Sequence, residues 1–149
     1  MALEQEVMQK MKEAMKAKDS VALASLRSIK SEILKAKTAS SSKEEIPEAE
    51  ELKLVQKLVK QRKDSADLYL EQDRKDLAEA ELAEAKIIEQ FLPAQLSEEE
   101  IDKEVKSVIE ETGADSMKDM GKVMGMASQR LAGRADGKTI SKIVKGNLS

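Results

Sequence analysis

Ser40, Ser41, Ser42 and Lys43 set hydroxyls beside an amine, the pairing in which a lysine of lowered pKa activates a serine nucleophile. They fall in a polar, low-complexity run, and a flexible connector cannot hold such a site in fixed geometry. The 29 Asp and Glu residues offer a second chemistry, a hard-metal or acid–base pair of the kind built from inward-facing Glu in helical bundles. No Glu-x-x-His is present, and most acids lie opposite the apolar stripes, which makes them a solvated face. The sequence has no Cys and no His, so disulfides, thiolate nucleophiles and thiolate metal sites are excluded, and the commonest metal ligand and general base are missing. Gly121 and Gly125 lie within a helical pattern rather than between a strand and a helix, so they form no phosphate loop of the nucleotide-binding kind. The expectation is a chain with no autonomous catalytic site, no cofactor and no metal.

The basic residues near the end are more informative. Lys118, Lys122, Arg130, Arg134, Lys138, Lys142 and Lys145 face only two acids between residues 117 and 149, a balance of +5, whereas residues 75–116 carry four basic against thirteen acidic side chains. Lys138, Lys142 and Lys145 share a helical face opposite Ile140, Ile143 and Val144. Arg134 and Lys138 flank a turn leading into a helix N-terminus, where backbone N–H groups readily hold phosphate. Such a surface suits contacts to a nucleic-acid backbone more than base reading. With Tyr69 and Phe91 the only aromatics, any RNA would be recognised by shape and backbone rather than by stacking. A solvated charged face is the alternative. A second row, Lys53, Lys57, Lys60, Arg62 and Lys63, is weaker because acids are interspersed.

Gly121, Gly125, Gly133 and Gly137 are candidates for close approach. Gly121 and Gly125 share a helix face, and each weakens a helix interior by about 1 kcal/mol relative to Ala. Either a neighbouring helix or a ligand backbone would explain them. Met117, Met120, Met124 and Met126 read as an adaptable partner surface or, for the first three, as core.

The elements that position these residues are all helical. Leu3, Val7, Met8, Met11, Ala14 and Met15 recur at three- and four-residue steps, and after Asp19 and Ser20, both able to cap, the pattern resumes from Val21 to Leu34. Pro47 suits the first turn of a third helix through Tyr69, and a fourth carrying Leu77, Ala80, Ala83, Ile87, Ile88 and Phe91 ends at Leu92, before Pro93. Ser97 and Glu100 form a capping box for a fifth helix that Gly113 closes. Asp115 or Ser116 caps a sixth through Leu131, and Ile140 to Leu148 line a seventh. The expected fold is all-α: an N-terminal four-helix unit over residues 1–92 and a small three-helix domain over 95–149. With no apolar signal-like stretch at the start and no bilayer-spanning run, the reading is of a cytoplasmic protein.

Three stretches also carry a likeness: Phe91-Leu-Pro-Ala-Gln-Leu-Ser-Glu-Glu-Glu100, Asp119-Met-Gly-Lys-Val-Met-Gly125 and Gly133-Arg-Ala-Asp-Gly-Lys138, supported by residues 59–65 and 11–16. Along essentially its whole length the chain resembles the GatB/YqeY family, and within it the stand-alone YqeY-like proteins. The resemblance implies a helical bundle joined to a domain similar to the tail of the B subunit of the glutamine-dependent aspartyl/glutamyl-tRNA amidotransferase. In that enzyme the tail is associated with tRNA binding, while nucleotide-dependent activation and amide transfer reside in a larger domain with no counterpart here. The implied role is tRNA binding or association with the amidotransferase. The alternatives are participation in glutamine-dependent carbon–nitrogen ligation with partner subunits, and a protein–protein adaptor docking through the sixth helix or the acidic fourth.

Overall fold

A computed structural model describes residues 2–39 and 46–149, so the Ser40–Lys43 cluster lies outside the described residues. Among them every regular element is a helix: α1 (Ala2–Ala17), α2 (Ser20–Ala39), α3 (Glu48–Glu71), α4 (Lys75–Glu89), α5 (Glu98–Thr112), α6 (Met120–Arg130) and α7 (Gly137–Leu148), with a 3-10 turn at Met117–Asp119. The chain divides into two compact units, Met1–Leu92 and Pro93–Ser149.

In the first unit Lys18, at a φ of 58°, turns the chain after α1, and Asp19 caps α2 by accepting from the Ala22 N–H at 3.0 Å. The narrow seam Leu3, Val7, Met11 and Ala14 packs inward, whereas Met8 and Met15, expected on the same stripe, are exposed. Their angular positions put them beyond the contact face with α2. Leu26, Ile29 and Ile33 of α2 meet Val55, Leu58 and Val59 of α3 and Ile88 of α4 in a core without aromatics among its buried residues. Complete burial of each such side chain stabilises by about 1.5–3 kcal/mol.

Helix α3 starts just after Pro47, which stands at the N-cap with a ψ of 147° rather than in the first turn as expected, and the Glu50 and Glu51 N–H groups donate to the Pro47 carbonyl at 3.0 Å. α4 keeps Ile88 of the expected stripe buried, with Leu77, Ile87 and Phe91 partly buried, but Ala78 and Ala85 complete the inward face where Ala80 and Ala83, both exposed, were expected. Ala66 of α3 is also buried, so small residues line this helical pair and allow close packing.

The second unit starts from the capping box. The Glu100 N–H donates to Ser97 Oγ at 3.2 Å, and the Ser97 N–H donates back to Glu100 Oε1 at 3.2 Å. Ile101, Val105 and Val108 of α5, Val123 and Ala127 of α6, and Ile140, Val144 and Leu148 of α7 form its core. Gly113 closes α5 at a φ of 69°. The entry to α6 departs from expectation: neither Asp115 nor Ser116 caps it, and Asp119 instead reaches back to accept from the Asp115 N–H at 3.2 Å. A 3-10 turn intervenes instead, in which the Asp119 N–H donates to the Ser116 carbonyl at 3.0 Å and the Met120 N–H to the Met117 carbonyl.

Candidate nucleic-acid interface

Every basic side chain from Lys118 to Lys145 belongs to the second unit, and the turn between α6 and α7 shows how local packing orients them. Leu131, Gly133 and Ala135 are buried while Ala132, Arg134 and Asp136 are exposed, so the turn alternates inward and outward and directs Arg134 to solvent. Gly133 adopts a φ of 78°, in the left-handed region that a side chain disfavours. Its carbonyl accepts from Gln95 Nε2 at 2.7 Å, and the Arg134 carbonyl accepts from the Leu96 N–H at 2.9 Å. The segment before α5 therefore clasps the turn from the other side.

Lys138, Lys142 and Lys145 are exposed along α7, opposite the buried Ile140, Val144 and Leu148. On α6 the outward stripe holds Gly121, Lys122, Gly125 and Gln129, with Lys118 just ahead in the 3-10 turn, while Val123 and Ala127 face the core. Among the described residues, Lys118, Lys122, Arg134, Lys138, Lys142 and Lys145 make no ion pair within 4.0 Å. Arg134 does act electrostatically on Glu100, whose carboxyl lies below its ordinary range. The Ser97 N–H and hydroxyl are the larger causes of that shift.

Arg130 stands apart from the other six. It pairs with Glu111 and lies 4.0 Å from Glu104 and 3.4 Å from Ser107 Oγ, so it links α6 to α5. The helix end is also less open to an anion than the turn suggested. The Asp136 carboxylate caps α7, accepting from the Thr139 N–H at 2.6 Å, and would repel a phosphate placed there. The side chains, rather than the helix end, supply the positive charge.

The glycines divide. A Cβ added at Gly121, Gly125 or Gly137 would meet nothing within 4 Å, which removes the neighbouring-helix explanation for the first two and leaves an open helix surface beside Lys118 and Lys122. Gly133 is required by the turn itself. Met120, Met124 and Met126 pack against the core, but Met117 is 42% exposed and is no core residue.

Sequence reasoning missed the partners of this surface. Asn147 Nδ2 of α7 donates to Asp102 Oδ1 of α5 at 2.8 Å, and with Lys106 nearby this holds the Asp102 carboxyl below its usual range. Amide-to-carboxylate pairs 45 residues apart leave no periodic signal. The second basic row is largely neutralised, since Arg62 lies 3.4 Å from Glu84, Lys63 3.9 Å from Glu89 and Lys60 2.7 Å from Asp64.

No group of three or more His, Cys, Asp or Glu among the described residues could hold a metal, and no helix among them is long and apolar enough to cross a membrane. Fold and surface define an all-helical protein whose second unit segregates charge, acidic on α5 and basic on α6, α7 and the turn between them. A family model described as "Yqey-like protein" matches residues 4–148, and the chain belongs to the YqeY-like family. It is also 30% identical over 139 residues to "Altered inheritance of mitochondria protein 41, mitochondrial" of Pyrenophora tritici-repentis, covering 91% of this chain and 75% of that protein.

Proposed function

We propose that this is a non-catalytic RNA-binding accessory protein, acting on tRNA or beside a tRNA amidotransferase, with the α6–α7 surface of residues 93–149 as a domain similar to the amidotransferase B-subunit tail. One observation carries the reading: six basic side chains are exposed without an ion pair among the described residues, while both acids of the same stretch, Asp119 and Asp136, accept from backbone N–H groups. Exposed cations on one stretch give a surface for phosphate contacts, and the open faces at Gly121 and Gly125 leave room for a backbone to come close. The fungal relative is named as a mitochondrial protein, and the reading needs only a compartment that holds tRNA, cytoplasm included.

The full chain titrated with tRNA at two salt concentrations tests this. Saturable binding that weakens steeply with salt is expected, with a logarithmic slope of about −0.7 to −0.9 per phosphate neutralised. Absence of affinity at low salt would overturn it.

The adaptor reading has an observation of its own, since Leu82 on acidic α4 and Met117 ahead of α6 are both nearly half exposed. A stable protein partner recovered without RNA would favour it. A part in amide transfer would require partner subunits to supply the nucleophile and nucleotide site.

A further inference from the structure

The first unit contains a notch that the RNA reading does not use. It encloses about 260 Å³ between the start of α1, the first turns of α3 and the residues just after α4. Leu3, Leu52, Val55 and Phe91 make its apolar wall. Glu6, Glu48 and Glu51 line it as well.

Size and charge together select the occupant. Sites for small molecules usually run to about 300–1,000 Å³, so this notch matches one or two side chains better than a metabolite. A metal does not fit, because no group of acids among the described residues could hold one. The helix dipole accounts for Glu48 and Glu51 in the first turn of α3, but not for Glu6, which comes from α1. Lys10, one turn beyond Glu6, is paired instead with Glu13 at 3.4 Å. Glu6 and Glu48 have no basic partner within 4.0 Å among the described residues. The Glu6 and Glu48 carboxylates, lining an apolar recess, attract a cation that brings its own apolar stem.

We infer that this notch docks a basic side chain of a partner protein, an arginine in preference to a lysine, carried on an exposed segment with an apolar neighbour. The stem lies along Phe91 and Leu52, and the guanidinium meets Glu6 and Glu48. Arginine is favoured because its planar fork bonds carboxylates in pairs and stacks on an aromatic ring. The inference stands or falls independently of tRNA binding.

The test is amide chemical-shift mapping on the full-length, isotope-labelled chain titrated with acetyl-Leu-Arg-Arg-Leu-amide, beside the same peptide with both arginines replaced by glutamine. Saturable shifts centred on Leu3, Glu6, Leu52 and Phe91 are expected. Binding should weaken about tenfold or more for the glutamine peptide and for the Glu6→Gln, Glu48→Gln double variant, whose helicity should be unchanged. Equal binding of both peptides, shifts spread along α4 and α5, or no shifts at all would overturn the inference. So would concentration-dependent shifts at the notch without peptide, which would assign it to a second copy of the chain.

Discussion

The Gln95 side chain donates to the Gly133 carbonyl at 2.7 Å and to the Pro93 carbonyl at 2.9 Å, tying the lead-in to α5 to the turn that presents Arg134. Removing it in Gln95→Ala leaves the Gly133 carbonyl, part of a buried residue, without this donor. Stability should fall by about 1 kcal/mol, read from urea unfolding followed by circular dichroism. A change within error would show that the clasp is replaced by water.

Glycine substitutions should move stability in opposite directions. Gly121→Ala and Gly125→Ala add a Cβ to open helix surface and should each stabilise by up to about 1 kcal/mol. Gly133→Ala forces a side chain into the left-handed region at a buried position and should destabilise by about 1–2 kcal/mol. If tRNA approaches the α6 backbone, the two stabilised variants should nevertheless bind it more weakly. Unchanged affinity would leave those glycines outside the interface.

The capping box gives a dependence on acid. Glu100 is held below its ordinary range by the Ser97 N–H and hydroxyl first, with Arg134 a smaller contributor. A carboxyl depressed on folding contributes stability that is present above its unfolded pKa and lost as pH falls through the folded one. Thermal unfolding should therefore show a loss below about pH 4.3 that is reduced in Glu100→Gln. Ser97→Ala should lower stability by about 1 kcal/mol at neutral pH.

Arg130 should behave differently from its basic neighbours. Its pairing with Glu111 is partly solvent-exposed, so Arg130→Ala should lower stability by less than about 1 kcal/mol. The salt dependence of tRNA binding should stay as in the parent chain, because this cation is engaged with α5. A reduced slope would place Arg130 in the interface.

The parts of this fold that could be read from residues alone are those governed by local rules. The Ser97–Glu100 box and Gly113 each act within a few residues, and the structure places them as the pattern predicts, while Pro47 stands at the N-cap of the third helix instead of in its first turn. The face of α4 was legible only in part: Ile88 is buried as the pattern predicts, but alternating Ala and Glu offer several stripes and the choice of Ala78 and Ala85 depends on what α3 presents. Similarly, Met8, Met15 and Met117 fit an apolar period but fall at the edges of their packed faces. At the basic surface the outward direction of the α7 lysines followed from helical spacing. The withdrawal of Arg130 to α5 and the capping by Asp136 depend on tertiary or backbone geometry that charge counting does not hold.

Whether cations on the turn and on α7 touch RNA phosphate is tested most directly by the double charge reversal Arg134→Glu, Lys138→Glu in the full chain. The measurement is the tRNA dissociation constant across a salt series, with helicity as the check on folding. Weaker binding at low salt is predicted, with a logarithmic salt slope shallower by about 0.7–0.9 for each phosphate that is no longer neutralised. A correctly folded variant whose affinity and slope equal those of the parent would contradict an RNA-binding role for this surface.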